Sequence, residues 1–232
     1  DYSNFRQKSI FKQEIGYSDF DAALLNAAIF FATNEQRVKH GKSPVPYCSA
    51  LEICAYNHSL KMAKTGFFSH ENTKDESRRT TSHRGKLAGI KNPSLAENIA
   101  YTSYRSSQSY LNLADDIMDI WMNSSGHKSN ILSDNDLQMG CGAYLKSSTC
   151  YATQCFQWFR KVELTTAQDE LPGGVNYVNC SGKITHHTKN NNSEKKSKNN
   201  TPKVNTGKKA LPANYFIVCA SFSSKNKAEK YV

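Results

Sequence analysis

A run of residues with almost no core-forming side chains limits what this chain can fold into. Residues 183–212 are dominated by Lys, Asn, Ser and Thr, and they hold eight Lys and one Glu. This composition predicts a solvated, self-repelling linker. We therefore expect an N-terminal arm at 1–20, a main domain at 21–182, the linker, and a short C-terminal piece at 213–232.

The location of the charge argues against a nucleic-acid-binding protein. The net charge is +10, but the linker alone carries +7. Residues 1–182 hold 19 basic and 18 acidic side chains, so the main domain has no large basic surface. With 38% hydrophobic and 11% aromatic residues, the chain can form a packed core.

Cysteine usage favours an oxidising location. The chain has seven cysteines and no paired C-x-x-C spacing of the zinc-ribbon kind. Cys48 and Cys54 could close a short loop, and the cysteines between 141 and 180 could join a sheet edge to its tail, but the sequence leaves the connectivity open. The candidates for disulfide bonds are Cys48, Cys54, Cys141, Cys150, Cys155 and Cys180.

The ends and the hydropathy of the chain are consistent with secretion. No run of apolar residues reaches the length of a membrane span. The first residue is Asp rather than Met, as expected after removal of a signal peptide, although a trimmed chain would begin in the same way.

Local patterns predict three helices and a hairpin. The first helix starts after Asp21 and ends before Gly41, and the second runs from Ser49 to a stop at Gly66. The third covers 110–122. Strands at 139–145 and 151–159 alternate and predict an antiparallel hairpin. Residues 71–94, which hold Arg78, Arg79, His83 and Arg84, are predicted to form a long surface loop, and such loops are often functional.

Three residues are placed to carry chemistry. His127 directly follows a predicted helix stop at 123–126, His70 follows the Gly66 stop, and Glu97 lies in the segment Ala96–Ala100. The alternative for each histidine is a buried or capping role, and Glu97 could instead bond backbone amides. The sequence has no Gly-x-Ser-x-Gly, phosphate-loop or His-Glu-x-x-His motif.

The order of these motifs resembles the CAP superfamily, which includes cysteine-rich secretory proteins, antigen 5 and pathogenesis-related 1, in its bacterial form. The resemblance implies an α/β fold, a three-layer α-β-α sandwich with an antiparallel sheet, and a groove whose cluster would hold His70, Glu97 and His127. The histidine strand motif and second glutamate of eukaryotic members are absent, and Asp115, Asp116 or Asp119 is only a guess for another acid. The matching segments are Asn34-x-x-Arg37, Phe68–His70, Ala96–Ala100, Trp121–Leu132, Met139–Gly142 and Tyr151-x-x-Gln154-x-Phe156.

The resemblance leaves three functions open. In some relatives the cluster binds a divalent metal, and two imidazoles with one carboxylate would suit Zn²⁺, with Mg²⁺ and Ca²⁺ as alternatives. The first function is a module that binds a metal, or a lipid, peptide or glycan ligand. The second is a metal-assisted hydrolase of envelope peptide or glycan with Glu97 as base. The third is a structural or host-interaction protein.

The C-terminal piece resembles the start of a SPOR domain, the sporulation-related module that binds peptidoglycan. The similarity covers Tyr215–Glu229 and includes a predicted strand at 215–222. It implies a protein exported by a bacterium to the periplasm or cell envelope, or secreted, and attached to peptidoglycan through a complete SPOR domain.

Overall fold

The described part of the chain combines helices with one antiparallel sheet. The structure is a computed structural model, and it describes residues 2–16, 18–105 and 107–172. The helices are α1 (Ser9–Lys12), α2 (Ala22–Lys39), α3 (Ser49–Thr65), α4 (Thr81–Leu87), α5 (Tyr110–Met122) and α6 (Ser125–Ile131), and the strands are β1 (Leu95–Ser103), β2 (Asp136–Lys146) and β3 (Thr149–Trp158). Short 3-10 turns lie at Phe5–Gln7 and Glu76–Arg78.

The sheet has the order β1-β3-β2, and both strand pairs are antiparallel. The predicted hairpin is confirmed as β2 and β3, and β1 adds to the free side of β3, with Glu97 opposite Cys155. Side chains alternate between faces along a strand. Phe156 therefore joins the core formed with α2 and α5, whereas Cys155 joins the core formed with α3.

These two cores lie on opposite faces of the sheet. The first contains α2, α5 and the N-terminal segment, and the second contains α3 and the chain around Ile90. A sheet with helices buried against both faces is the predicted three-layer α-β-α sandwich, and this prediction is confirmed. Because β1 is an edge strand, side chains from both faces can meet around it.

The axis of α3 lies unusually close to β2. A Cβ atom added at Gly142 would lie 2.0 Å from the backbone nitrogen of Tyr56, and one at Gly140 would lie 2.1 Å from that of Glu52. Any side chain at these two positions would push the helix away from the sheet. The two glycines therefore fix the layer spacing on the face that carries the candidate site.

The N-terminal segment is part of the first core. Phe5 and Phe11 are 1% and 4% exposed and contact the ring of Phe31. The guanidinium of Arg6 donates to Glu35 of α2 and to Asp115 of α5. This segment thus contributes both apolar burial and a link between two helices.

The predicted helix ends agree with the structure. Asp21 accepts from the Leu24 amide at 3.1 Å and caps α2, and Gly66 ends α3 in the left-handed conformation with φ of 68°. Arg37, near the end of α2, donates to the carbonyl of Ile131 at 2.7 Å and to Asp136 at 2.8 Å. This buried arginine holds the C-terminal end of α6 in place.

Two local predictions were wrong. Residues 71–94 contain a 3-10 turn and α4, and Arg84 of α4 is only 2% exposed, because it is paired with a buried carboxylate. The third helix does stop, at Asn123, but the stop does not release His127 from helical structure, because Ser125, Gly126 and His127 form the first turn of α6. The backbone of Gly126 has room for a Cβ atom and no positive φ, so it accepts a helical conformation.

The cysteine predictions need a correction. Cys54, Cys141, Cys150 and Cys155 are free thiols, whereas Cys48 is disulfide-bonded. Cys48 and Cys54 cannot pair across α3, because six residues of helix rise about 9 Å, beyond the Cα separation that a disulfide permits. The Sγ of Cys54 lies 3.8 Å from that of Cys155, without a bond.

Other predictions fall outside the described residues. These are the linker at 183–212, the SPOR-like piece at 213–232, and Cys180. Within the described ranges, no helix combines the length and the apolar character needed to cross a membrane.

Candidate functional site

Glu97 is the centre of the candidate site. It lies on β1 with its side chain 3% exposed and pointing to the α3 face of the sheet. His70 Nδ1 lies 2.9 Å from Oε1, and Arg84 Nη2 lies 2.6 Å from Oε2. His58 Nε2 lies 3.8 Å from Oε1. We call these four residues the Glu97 cluster.

The end of α3 positions the two histidines of this cluster. His58 is fully buried in α3, and its Nε2 donates to the carbonyl of Ser69 at 3.0 Å. Gly66 turns the chain back at the end of α3, so Ser69 and His70 return along the helix. Since a carbonyl only accepts, His58 carries its proton on Nε2, and its buried Nδ1 has no partner among the described residues.

Helix α4 supplies the cation. The Thr80 side chain accepts from the His83 amide and caps the helix, which brings Arg84 over Glu97. Arg84 Nη1 also donates to the carbonyls of Arg78 and Arg79, at 3.1 and 3.2 Å. The guanidinium is therefore held by backbone as well as by the carboxylate, and the ion pair is buried on both sides.

The electrostatics of the cluster fix its charge states. Burial by itself would raise the pKa of Glu97, but the hydrogen bond from His70 and the charge of Arg84 outweigh burial and lower that pKa. Burial lowers the pKa of His58 to about 4, although the charge of Glu97 opposes this effect. At neutral pH the cluster thus holds an ionised Glu97, a charged Arg84 and a neutral His58.

The ionised carboxylate orients His70. A carboxylate accepts only, so the hydrogen between the two groups belongs to His70 Nδ1. In the neutral imidazole, Nε2 then carries a free lone pair. The side chain of His70 is 52% exposed, so this acceptor is open to solvent. The arrangement is that of an imidazole oriented by a carboxylate.

His127 approaches from the other side of β1. The Asn98 side chain donates to the His127 carbonyl at 3.1 Å, and Asn130 donates to Asn98 Oδ1 at 2.9 Å. The ring is half-buried; burial, with the charge of His70, lowers the pKa of His127. Its Nδ1 is buried and has no hydrogen-bond partner within the described chain. The charge of His70 acts on the His127 ring, and we call the surface that carries these two imidazoles the His70–His127 groove.

Three aromatic rings continue this surface. Phe68 and Tyr101 are 44% and 56% exposed, and their ring centroids lie 4.8 Å apart. The ring of Tyr151 follows at 6.2 Å from Tyr101. Tyr101 is four residues beyond Glu97 on β1, so both side chains lie on the same face of the sheet. These rings, which we call the aromatic row, offer an apolar surface on the face of β1 that carries Glu97.

The residues present are a poor fit to a metal ion. Arg84 already compensates the charge of Glu97, and both carboxylate oxygens accept hydrogen bonds. Among the described residues, no group of three or more His, Cys, Asp or Glu side chains is arranged to hold a metal. Metal binding by His70, Glu97 and His127 therefore stays a prediction of the sequence, and we derive no chemical step through a metal.

Two of the three acids considered for the site, Asp115 and Asp116, are engaged elsewhere. Asp115 accepts from Arg6, and Asp116 accepts from Gln108 at 2.6 Å. The arginines of the supposed surface loop are also engaged elsewhere, because Arg78 pairs with Asp169 and Arg79 with Glu76. They are thus not free to hold an anionic ligand.

Sequence reasoning missed His58 and Arg84. The sequence gives His58 no role in the site, and it places Arg84 in a surface loop. A partial signal exists for Arg84, since Thr80 can cap a helix that begins at Thr81. Nothing in the sequence places His58 beside Glu97, because that contact depends on the return of the chain after Gly66.

Comparison with known proteins gives related chains in bacteria. The uncharacterized protein YkwD of Bacillus subtilis (strain 168) is 29% identical over 122 residues, which cover 53% of this chain and 43% of that protein. This chain thus spans less than half of that relative.

Three solved structures are similar. An extracellular protein with an SCP domain from Bacillus anthracis str. Ames has a TM-score of 0.47 and 26% identity, covering 60% of this chain and 41% of its own. An outer surface protein from Borrelia burgdorferi has a TM-score of 0.48 and 13% identity, and the match covers 64% of this chain and 98% of that protein. A cysteine-rich secretory protein from Staphylococcus aureus subsp. aureus Mu50 has a TM-score of 0.44 and 20% identity, and the match covers 60% of this chain and 40% of that protein.

A family model covers the larger part of the described domain. The model of the cysteine-rich secretory protein family, CAP, matches residues 30–159. That range is more than half of the chain, and it includes His70, Glu97 and His127. The chain therefore belongs to the CAP family of cysteine-rich secretory proteins.

Proposed function

We propose that this chain is an exported bacterial CAP-domain protein that binds a ligand in the His70–His127 groove. The observation that carries the proposal is the pair of incomplete hydrogen-bonding groups. His70 presents Nε2 because Glu97 holds its other nitrogen, and His127 has a buried Nδ1 without a partner in the described chain. Buried or oriented polar groups of this kind are stabilised when a ligand supplies the missing bond.

The surroundings indicate the chemistry of the ligand. Nε2 of a neutral His70 accepts a hydrogen bond, so the ligand brings an O–H or N–H donor. The aromatic row, on the face of β1 that carries Glu97, can stack on an apolar face. Sugar rings and peptides have both features, which supports a glycan or peptide of the cell envelope over a lipid.

Titration of the full chain tests this proposal. We expect muropeptide fragments, glycan oligomers or peptides to shift the ring resonances of His70 and His127 in NMR spectra. His127→Ala is expected to weaken that binding, and His40→Ala, an exposed histidine outside the groove, is the matched control. If no compound from these classes and no Zn²⁺, Mg²⁺ or Ca²⁺ perturbs either ring, the groove proposal is lost.

A hydrolase is the second candidate, and one specific observation favours it. An imidazole oriented by a carboxylate can act as a general base. In this geometry the proton acceptor is His70 Nε2, whereas Glu97 orients the ring. Turnover of a peptide or muropeptide that is abolished in His70→Ala, with the fold retained, would establish an enzyme. Failure of turnover together with retained ligand binding favours the binding module.

Attachment to peptidoglycan is a further part of the proposal, and it rests on the sequence of residues 213–232 alone. If those residues begin a SPOR domain, the protein as it occurs in the cell should co-sediment with peptidoglycan. Deletion of the chain from residue 183 onward should abolish co-sedimentation. Retention after that deletion would move peptidoglycan binding to the CAP domain.

A further inference from the structure

A cavity lies apart from the Glu97 cluster, between α4 and the end of β3. Its volume is about 370 Å³, and its lining includes Ser82, Lys86, Ser94, Trp158, Phe159 and Arg160. Small-molecule sites commonly enclose roughly 300–1,000 Å³. We call this cavity the Phe159 pocket, and none of its lining residues belongs to the Glu97 cluster.

Close packing brings α4 against the opposite wall. A Cβ atom at Gly85 would lie 2.9 Å from Leu95 Cδ1 and 3.0 Å from Pro93 Cβ. Any side chain at Gly85 would force Leu95 and Pro93 to shift, so the glycine allows α4 to lie this near to the 93–95 segment. Ser82 and Lys86 are four residues apart on α4 and therefore share the helix face that borders the pocket.

Hydrogen bonds hold the other walls in place. The buried Gln157 side chain donates to the carbonyls of Asn92 and Arg160, both at 3.0 Å. The Trp158 amide donates to the Ser94 carbonyl at 2.8 Å. Because these contacts fix the backbone on two sides, a ligand would meet a pocket that is already formed.

The pocket carries uncompensated positive charge. Lys86 and Arg160 both line it, and neither forms an ion pair or a side-chain hydrogen bond with the part of the chain that the structure describes. No acidic residue is among the lining side chains. Arg78, Arg79 and Arg84 nearby are all paired with carboxylates. The pocket therefore favours an anion.

Phe159 adds an exposed ring in a strained conformation. Its φ is +64°, and the Arg160 amide donates to the Trp158 carbonyl at 2.7 Å across it. This three-residue turn with a positive central φ is rare, and it is unfavourable for a bulky residue. The side chain is 66% exposed, so the ring gains little burial in return. Strain without a gain in packing is typical of ligand-contacting residues.

We propose that the Phe159 pocket binds a small organic anion that carries a flat ring. Lys86 and Arg160 hold the phosphate or carboxylate group, and Ser82 and Ser94 supply hydroxyl groups. The exposed ring of Phe159 contacts the ring of the ligand. The indole of Trp158 packs against the first core and donates to Asp136, and its ring centroid lies 5.8 Å from that of Phe159.

Phenyl phosphate and phenylacetate are suitable probes, because each combines an anionic group with a flat ring. Inorganic phosphate tests the charge without the ring, and benzyl alcohol tests the ring without the charge. The chain has only two tryptophans, and Trp121 is fully buried. The ring of Trp158 contacts that of Phe159, so its indole resonance reports on a ligand that contacts Phe159. We expect one or both aromatic anions to shift it in a saturable way. The difference between these two probes distinguishes phosphate from carboxylate recognition.

Variants separate the two parts of the proposal. Lys86→Ala with Arg160→Ala should weaken binding by on the order of tenfold or more. Lys91→Ala, which removes the same charge just outside the lining, should leave it unchanged. Phe159→Gly should weaken binding while the melting temperature stays equal or rises, because glycine accepts a positive φ without strain.

Three results would overturn the inference. The first is that neither aromatic anion shifts the Trp158 resonance. The second is equal binding by the double variant and the wild type. The third is that benzyl alcohol or inorganic phosphate binds as tightly as the aromatic anions. Equal binding of benzyl alcohol would mean that the cations have no role, and equal binding of inorganic phosphate would mean that the ring of the ligand has none.

Discussion

Arg84 and Glu97 form a buried ion pair whose two members depend on each other. Loss of one partner leaves a buried charge uncompensated, which costs about 3 kcal/mol or more. We expect Arg84→Met to lower the free energy of unfolding by that amount, as measured by denaturant unfolding. Arg84→Met with Glu97→Gln should cost less than Arg84→Met alone.

Arg79→Met is the matched control for this prediction. Arg79 belongs to the same segment, but its side chain is 45% exposed and pairs with the exposed Glu76. An exposed pair contributes about 0–1 kcal/mol, so its loss should change stability little. Equal effects of the two substitutions would contradict a special role of Arg84.

His58 makes stability depend on pH. Its folded pKa of about 4 lies below the ~6.5 of an unfolded histidine, so the unfolded chain binds more protons between these values. The contribution of His58 is complete above pH ~6.5 and is lost as the pH falls to 4, by about 2–3 kcal/mol. Glu52, whose pKa burial raises to about 7, has the opposite effect, because its contribution to stability is lost as the pH rises toward 7.

The measured quantity is therefore the difference in unfolding free energy between wild type and His58→Gln. Unfolding curves between pH 7 and 4 should show that wild type loses more stability on acidification than the variant does. Parallel pH profiles of the two proteins would show that His58 is not held neutral in the folded state.

At the scale of elements, the contact between α3 and β2 sets the layer spacing. Gly142→Ala would place a methyl group 2.0 Å from the Tyr56 nitrogen, and backbone cannot move aside as a side chain can. We expect a loss of about 3 kcal/mol or more in unfolding free energy, as for severe overpacking. Gly126→Ala in α6, with open space around it, should be neutral or stabilising by about 0.5 kcal/mol. Similar effects of both substitutions would contradict the close contact.

The sequence predicts the long elements better than the short ones. Helices α2, α3 and α5 could be predicted because continuous helical runs lie between a cap and a stop, as with Asp21 and Gly66. Strand β1 could not, because its buried Glu97 and Asn98 are polar and conceal the alternation. Helix α4 has only seven residues, and its burial depends on a carboxylate that is distant in sequence.

For the site, the family resemblance supplied what spacing could not. The bond between His70 and Glu97 joins residues 27 positions apart, and no periodicity predicts it. The structure places His70 on Glu97 and within electrostatic reach of His127, but it also gives Glu97 an arginine that the sequence had assigned to the surface. A buried pair can be recognised only when both partners are placed in three dimensions.

At the scale of the whole molecule, the N-terminal segment belongs to the folded domain. Phe5 is 1% exposed within the first core, and truncation of a buried phenylalanine costs about 3–5 kcal/mol. We expect Phe5→Ala to lower the unfolding free energy by about that much. Tyr2→Ala, which removes a partly buried ring of the same segment, should cost less. A change below about 1 kcal/mol in Phe5→Ala would show that the segment is a dispensable arm.

The central claim is that Glu97, held by Arg84, orients His70 so that Nε2 faces the groove as a hydrogen-bond acceptor. Long-range proton–nitrogen correlation spectra of the histidine rings, recorded where His70 is neutral, test it most directly. We predict a protonated Nδ1 and an unprotonated Nε2 for His70 in the full chain, with that preference reduced in Glu97→Ala. A proton on Nε2, or the same mixture of tautomers with and without Glu97, would contradict the account.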